Sequence, residues 1–167
     1  MDKGTSTALG TATKIGPAMP HPTASPGRRG GLEVLSVDEC YRLLDGHHVG
    51  RLGFTYRSLP IVFPVNYVVD EQSIVFDTEA PSVLSAAIAG DVACLEIDDH
   101  DDLTHEGWTV LATGHLYEVS SAEEIEAVQH LPLVPWRQMR SPHYVRLRAE
   151  LVSGRRLLPF AEPELEA

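Results

Sequence analysis

Residues 49–78, VGRLGFTYRSLPIVFPVNYVVDEQSIVFDT, constrain the fold of this chain more than any other stretch. Their apolar, β-branched and aromatic residues fall into three runs, 49–55, 60–69 and 73–78, with turn signals between them. Three strands joined by such short connections pair as antiparallel neighbours, so the fold is built outward from a β-meander.

The remaining elements extend that meander. Ser36-Val37-Asp38-Glu39 has the spacing of a capping box, in which the Ser36 hydroxyl accepts from the Glu39 amide and the Glu39 carboxylate returns to Ser36. Val37, Cys40, Tyr41, Leu43 and Leu44 then mark one helical face that Gly46 closes. Residues 80–90 (APSVLSAAIAG) predict a short helix of small residues, and 91–98 (DVACLEID) a strand. A polar loop, DDHDDLTHEG, leads to a long strand over 108–119. A helix over 121–130 carries Glu123 and Glu124 at its positive end. Pro132 and Pro135 break the chain before Trp136, and 143–153 alternates as a last strand that runs into Gly154-Arg155-Arg156-Leu157. Six strands with three short helices favour a closed antiparallel barrel over a sandwich. Folding is expected to begin near Leu35. Residues 1–32, rich in Gly, Pro, Ser, Thr and Ala, read as a disordered extension, 33–160 as the single folded domain and 161–167 as a tail.

Composition narrows the partners. No run of about 18 apolar residues is present, so a membrane span is not expected. The N-terminus lacks the pattern of a secretory signal, and a cytoplasmic protein is the expectation. Lys3, Lys14, Arg28 and Arg29 face only Asp2 within residues 1–32, so the net charge of −11 leaves −14 on the remainder. A body that acidic repels nucleic acid and anionic membranes. Cys40 and Cys94 are expected as two reduced, buried thiols.

The candidate sites are few. No P-loop, HExxH or GxSxG pattern occurs, and no nucleophile stands out, so no catalytic residue is assigned. The acidic run Asp98-Asp99-His100-Asp101-Asp102 could attract a hard cation but lacks the spacing of an EF-hand loop. It reads as solvated, and no metal is expected. His47 and His48 read as a turn and a strand start. Arg51, between Gly50 and Gly53 in an otherwise apolar strand, needs an anion: a ligand phosphate, or Glu96 or Asp98. Asn66 interrupts an apolar run and either reads a heterocycle edge or satisfies the backbone. Thr78 and Ser82 flank the start of the small helix, where they either serve an anion or cap the helix.

The order of capping helix, VGRLGF, PVNY, acidic turn, IVFDT, short helix, VACLEID, GWTVLATG and a closing strand with GRRL resembles the pyridoxamine 5′-phosphate oxidase-like family, over roughly residues 33–157. The resemblance implies a mainly β fold with short helices: a six-stranded antiparallel split β-barrel that pairs into a homodimer with FMN at the interface. By that likeness Pro64, Val65, Asn66 and Tyr67 run beside the flavin ring, and Thr78 and Ser82 supply hydroxyls to its phosphate. Arg51, Trp108 and Trp136 are further wall residues. The likeness departs at FDTEAPSVL, where Asp77 and Val83 replace basic residues common in relatives. The function implied is an oxidoreductase that uses FMN or a deazaflavin to move a hydride to or from a small organic substrate. The alternative is a dimeric binding protein that has lost FMN or holds another planar ligand such as haem.

Overall fold

The computed structural model describes residues 31–134 and 142–158. The expected extension up to residue 30, the tail 161–167 and Trp136 lie outside the described residues.

Among the described residues, eight strands and three helices follow one another as β1 (Leu32–Val34), α1 (Val37–Asp45), β2 (Val49–Tyr56), β3 (Leu59–Asn66), β4 (Val68–Asp70), β5 (Ser73–Thr78), α2 (Pro81–Ala89), β6 (Val92–Asp101), β7 (Glu106–Glu118), α3 (Ala122–Gln129) and β8 (His143–Leu157). All pairings are antiparallel, and the strands form one sheet in the order β3-β2-β6-β7-β8-β5-β4, with β1 also on β8. The sheet curls into the expected split barrel. β3 and β4, its two ends, are consecutive in the chain with only Tyr67 between them, so covalent continuity draws the ends together.

Six of these strands are the six expected ones. The other two correct the reading. The run 60–69 is two strands, because the chain turns from β2 to β5 as its partner at Tyr67. β1 adds a strand ahead of Leu35, where folding was expected to begin: Leu32, Glu33 and Val34 pair with Leu157, Arg156 and Arg155. The expected polar loop at 98–107 is mostly strand, since β6 and β7 pair out to Asp101 and Glu106 and leave a tight turn between.

Alternation sets the core. Leu52 and Phe54 of β2, Leu95 and Ile97 of β6, Val110 and Ala112 of β7, and Val145 and Leu147 of β8 point inward. β5 is buried on both faces, with Ile74 and Phe76 in the main core and Val75 beneath α3 beside Val68, Val119 and Val128. That explains its unbroken apolar run. α1 lies against the barrel, its Cys40 beside Gly154, where an added Cβ would sit 2.7 Å from the Cys40 sulfur. The Ser36 hydroxyl accepts from the Glu39 amide at 3.2 Å, as half of the expected box. The other half is replaced: the Glu39 carboxylate is taken by Arg156 and, at 3.5 Å, by Arg42.

Candidate functional site

The outer face of the sheet holds the candidate site, because alternation turns the less apolar half of each strand outward. Register places these residues in rows across the strands. One row reads Val62, Gly53, Cys94, Thr113 and Leu151 on β3, β2, β6, β7 and β8. The next reads Pro64, Arg51, Glu96, Leu111 and Ser153. The first row has small residues at its centre between two exposed aliphatic ends, Val62 and Leu151. A Cβ on Gly53 would come within 3.0 Å of the Cys94 sulfur, so glycine keeps this shelf flat.

Arg51 stands in the second row, and its charge is met within the sheet. Its Nε donates to Glu96 Oε2 at 2.8 Å and its Nη2 to Asp98. Glu96 is also bonded by the Thr109 hydroxyl at 3.1 Å. Of the alternatives for Arg51, the structural ion pair is realised, with both carboxylates rather than one.

The PVNY segment divides between two faces. Pro64 and Asn66 face outward beside Arg51 and Val49. Val65 and Tyr67 are buried, so a ligand along this strand meets their backbone, not their side chains. Tyr67 is 1% exposed. Its hydroxyl donates to the Leu44 carbonyl at 2.8 Å and its amide to the His48 carbonyl at 2.9 Å, which ties the strand switch to the end of α1. Burial, with a lesser contribution from Asp45, pushes its phenol well above the ordinary range.

Thr78 is buried at the end of β5, and its hydroxyl accepts from the Ala80 amide at 3.0 Å. α2 itself begins with Ala80 as N-cap and Pro81 in the first turn, so neither Thr78 nor Ser82 is the cap. Ser82 is half-buried in that first turn. Val83 is fully buried in the core, and Asp77 and Glu79 both have interaction partners. The two positions where the resemblance leads one to expect basic residues are thus held by a core side chain, Val83, and by an acid with partners, Asp77. Trp108 lies apart from this region, on the α1 side, with its ring edge-on to His47 at 4.8 Å. His47 Nδ1 is 2.7 Å from the Leu43 carbonyl. The structure thus brings Arg51, Pro64 and Asn66 together on one face and sets Thr78, Ser82 and Trp108 elsewhere.

The acidic run is engaged locally. Asp98 pairs with Arg51, and Asp101 Oδ1 accepts from the amides of Leu103 (2.7 Å) and Thr104 (3.2 Å), which holds the Asp101 carboxyl below its ordinary value. Both cysteines are free, as expected, but only Cys40 is buried. Ala93, Leu95 and Ile97 take the inner face of β6, so Cys94 lies outward and half-buried, its thiol pushed up in pKa mainly by partial burial. Of the shelf residues, Gly53 and Cys94 were named from the sequence, as a glycine beside Arg51 and as a thiol, but Thr113 and the row that joins the three were not. The available signal was a small residue at the outward position of three strands that pair in succession.

The chain is 35% identical over 140 residues to the uncharacterized protein Rv0080 of Mycobacterium tuberculosis, which spans 81% of this chain and 91% of that one. Among solved structures, the FAD binding protein from Mycobacterium smegmatis is 33% identical, with a TM-score of 0.63 over 74% of this chain and 98% of that chain. A FAD-binding protein from Mesorhizobium loti (20% identical, TM-score 0.65, 77% and 98% covered) shares the fold. So does the FAD and heme binding protein from M. smegmatis (12%, 0.57, 81% and 76%). The family model described as pyridoxamine 5′-phosphate oxidase matches residues 36–156, from the capping serine of α1 to the arginines of β8, and the chain belongs to that family.

Proposed function

We propose that this protein is a flavin-binding split barrel, acting as a homodimeric cytoplasmic oxidoreductase that moves a hydride to or from a small organic substrate. The observation that carries the reading is its 33% identity to a protein named for FAD binding, sustained over 98% of that protein's length. No helix among the described residues is long and apolar enough to cross a membrane.

The chain's own residues fit such a cofactor. The flat Gly53-Cys94-Thr113 shelf suits a planar ring, and Pro64 and Asn66 border the neighbouring row. Asn66 offers an amide donor and acceptor to a heterocycle edge. The resemblance assigns the phosphate to Thr78 and Ser82 at the start of α2, away from this shelf; the Thr78 hydroxyl there is buried and accepts from the Ala80 amide, and Ser82 is half-buried. Arg51 is committed to Glu96 and Asp98 and serves by holding the strands in register. Val62 and Leu151 leave an exposed apolar margin on the same face that a second copy would cover. When bound, the flavin or a deazaflavin supplies the hydride chemistry; the protein supplies position and electrostatics. FAD is the form in the relative's name, and FMN or a deazaflavin is the form the motif order implies.

The departure at Asp77 and Val83 favours a second reading, a dimeric binding protein without FMN or with a ligand such as haem. Equilibrium dialysis of the full chain against FAD, FMN and haem separates the two. Retention of a flavin supports the first reading. Retention of haem alone, or of none, rejects it.

A further inference from the structure

Four strands converge on a glycine at one corner of the outer face. Across β6, β7 and β8, register aligns Asp98, Thr109 and Arg155. The next outward row aligns His100, Gly107, Leu157 and, on β1, Leu32. Gly107 contributes no side chain, and a Cβ there would meet the Asp99 carbonyl at 2.7 Å. Beside it lies a depression of about 510 Å³ lined by Leu32, Leu157, Trp108, Thr109, Asp98 and Arg155, large enough for a small ligand.

Its chemistry is uneven. Leu32 and Leu157 give it apolar walls, and Thr109 a hydroxyl. Asp98, on the rim, is already neutralised by Arg51. Arg156, the next residue along β8, turns to the opposite side and pairs with Glu33 and Glu39. Arg155 is half-buried, and no ion pair is found for it among the described residues. A guanidinium held beside apolar walls without a carboxylate partner is an anchor for an anion.

We infer that this depression is a binding site for a small aromatic carboxylate, whose carboxylate is gripped by Arg155 and whose ring packs on Leu32 and Leu157. A carboxylate matches the guanidinium fork with two parallel hydrogen bonds. A phosphate dianion would carry twice the charge toward the exposed Asp99, so the monoanion is preferred. The site does not depend on the flavin reading, because its walls come from β1 and the far ends of β6, β7 and β8.

The test uses the full chain and 2-naphthoate, followed by its fluorescence, with the uncharged 2-naphthalenemethanol as the paired probe. Saturable binding of naphthoate is expected, weakened about tenfold or more by Arg155→Gln. The alcohol should bind the wild-type protein about tenfold more weakly, a comparison that stands even if the variant fails to fold. FAD should neither displace naphthoate nor be displaced by it. Absence of saturable binding, equal binding of the alcohol, or full affinity in a folded Arg155→Gln protein overturns the site. Competition by FAD overturns it as a separate site while leaving flavin binding intact.

Discussion

Removal of one oxygen from Tyr67 tests how the barrel is closed. The Tyr67→Phe variant keeps the buried ring and loses only the bond to the Leu44 carbonyl. A buried acceptor stripped of its partner costs about 1–3 kcal/mol. The Leu44 carbonyl also accepts from the His47 amide at 3.3 Å, which places the loss near the lower end, about 1 kcal/mol. The pH dependence is the sharper readout. The Tyr67 phenol is raised above its ordinary value of 10 by burial, so the folded state holds its proton to higher pH than the unfolded chain. The stability contributed by this protonated phenol is fully present below about pH 10 and is lost as pH rises toward the folded value. The slope of that loss is at most about 1.4 kcal/mol per pH unit. Tyr67→Phe has no such proton to lose. In urea titrations monitored by circular dichroism, wild type should lead the variant by about 1 kcal/mol at pH 7. The gap should shrink and then reverse above pH 10. A gap that stays constant from pH 7 to 11 would refute the buried hydroxyl and its role at the strand switch.

Glycine substitutions should separate steric from conformational demands. At the register slip between β7 and β8, a Cβ on Gly114 would overlap the Arg148 carbonyl. Gly114→Ala is therefore expected to cost about 3 kcal/mol or more by denaturant unfolding, or to yield no folded protein. Gly90, at φ +69° with open space around it, should lose only about 1 kcal/mol as alanine, measured in the same way. Arg51→Met removes two ion pairs whose side chains are 29–48% exposed, so screening limits the stability loss to about 1 kcal/mol. Flavin retention by dialysis should change little in that variant; its collapse would mean that Arg51 serves the ligand directly. Val83→Lys buries an ammonium at a 0% exposed position and should cost several kcal/mol in urea unfolding, about 3–5. An undiminished midpoint would mean that α2 readily turns that position outward.

The six main strands were legible because their alternation or apolar runs survive any choice of partner, and β5 matches residue for residue. β1 was not, since Leu32, Glu33 and Val34 are all exposed and carry no alternation; pairing with the end of β8 alone makes them a strand. The split at Tyr67 was hidden because 60–69 reads as one apolar run, and the change of partner depends on a tertiary bond to α1. The acidic stretch looked like a loop because its strands extend beyond the core, where both faces meet water and polarity stops alternating. At the candidate site, the partners of Arg51 could be named from the sequence, but not that it would hold both. Cys94, Gly107 and Arg155 acquire meaning only through cross-strand register, which no local pattern encodes. The division of PVNY into two outward and two inward residues follows from strand period alone and was within reach.

Whether this split barrel carries a flavin is read most simply from the absorption spectrum of the purified protein, with the released chromophore identified after acid denaturation. A yellow protein with a band near 450 nm, releasing a flavin nucleotide into the supernatant, is the expected result. A colourless protein that stays colourless after incubation with FAD and FMN, or one with only a haem spectrum, would contradict it.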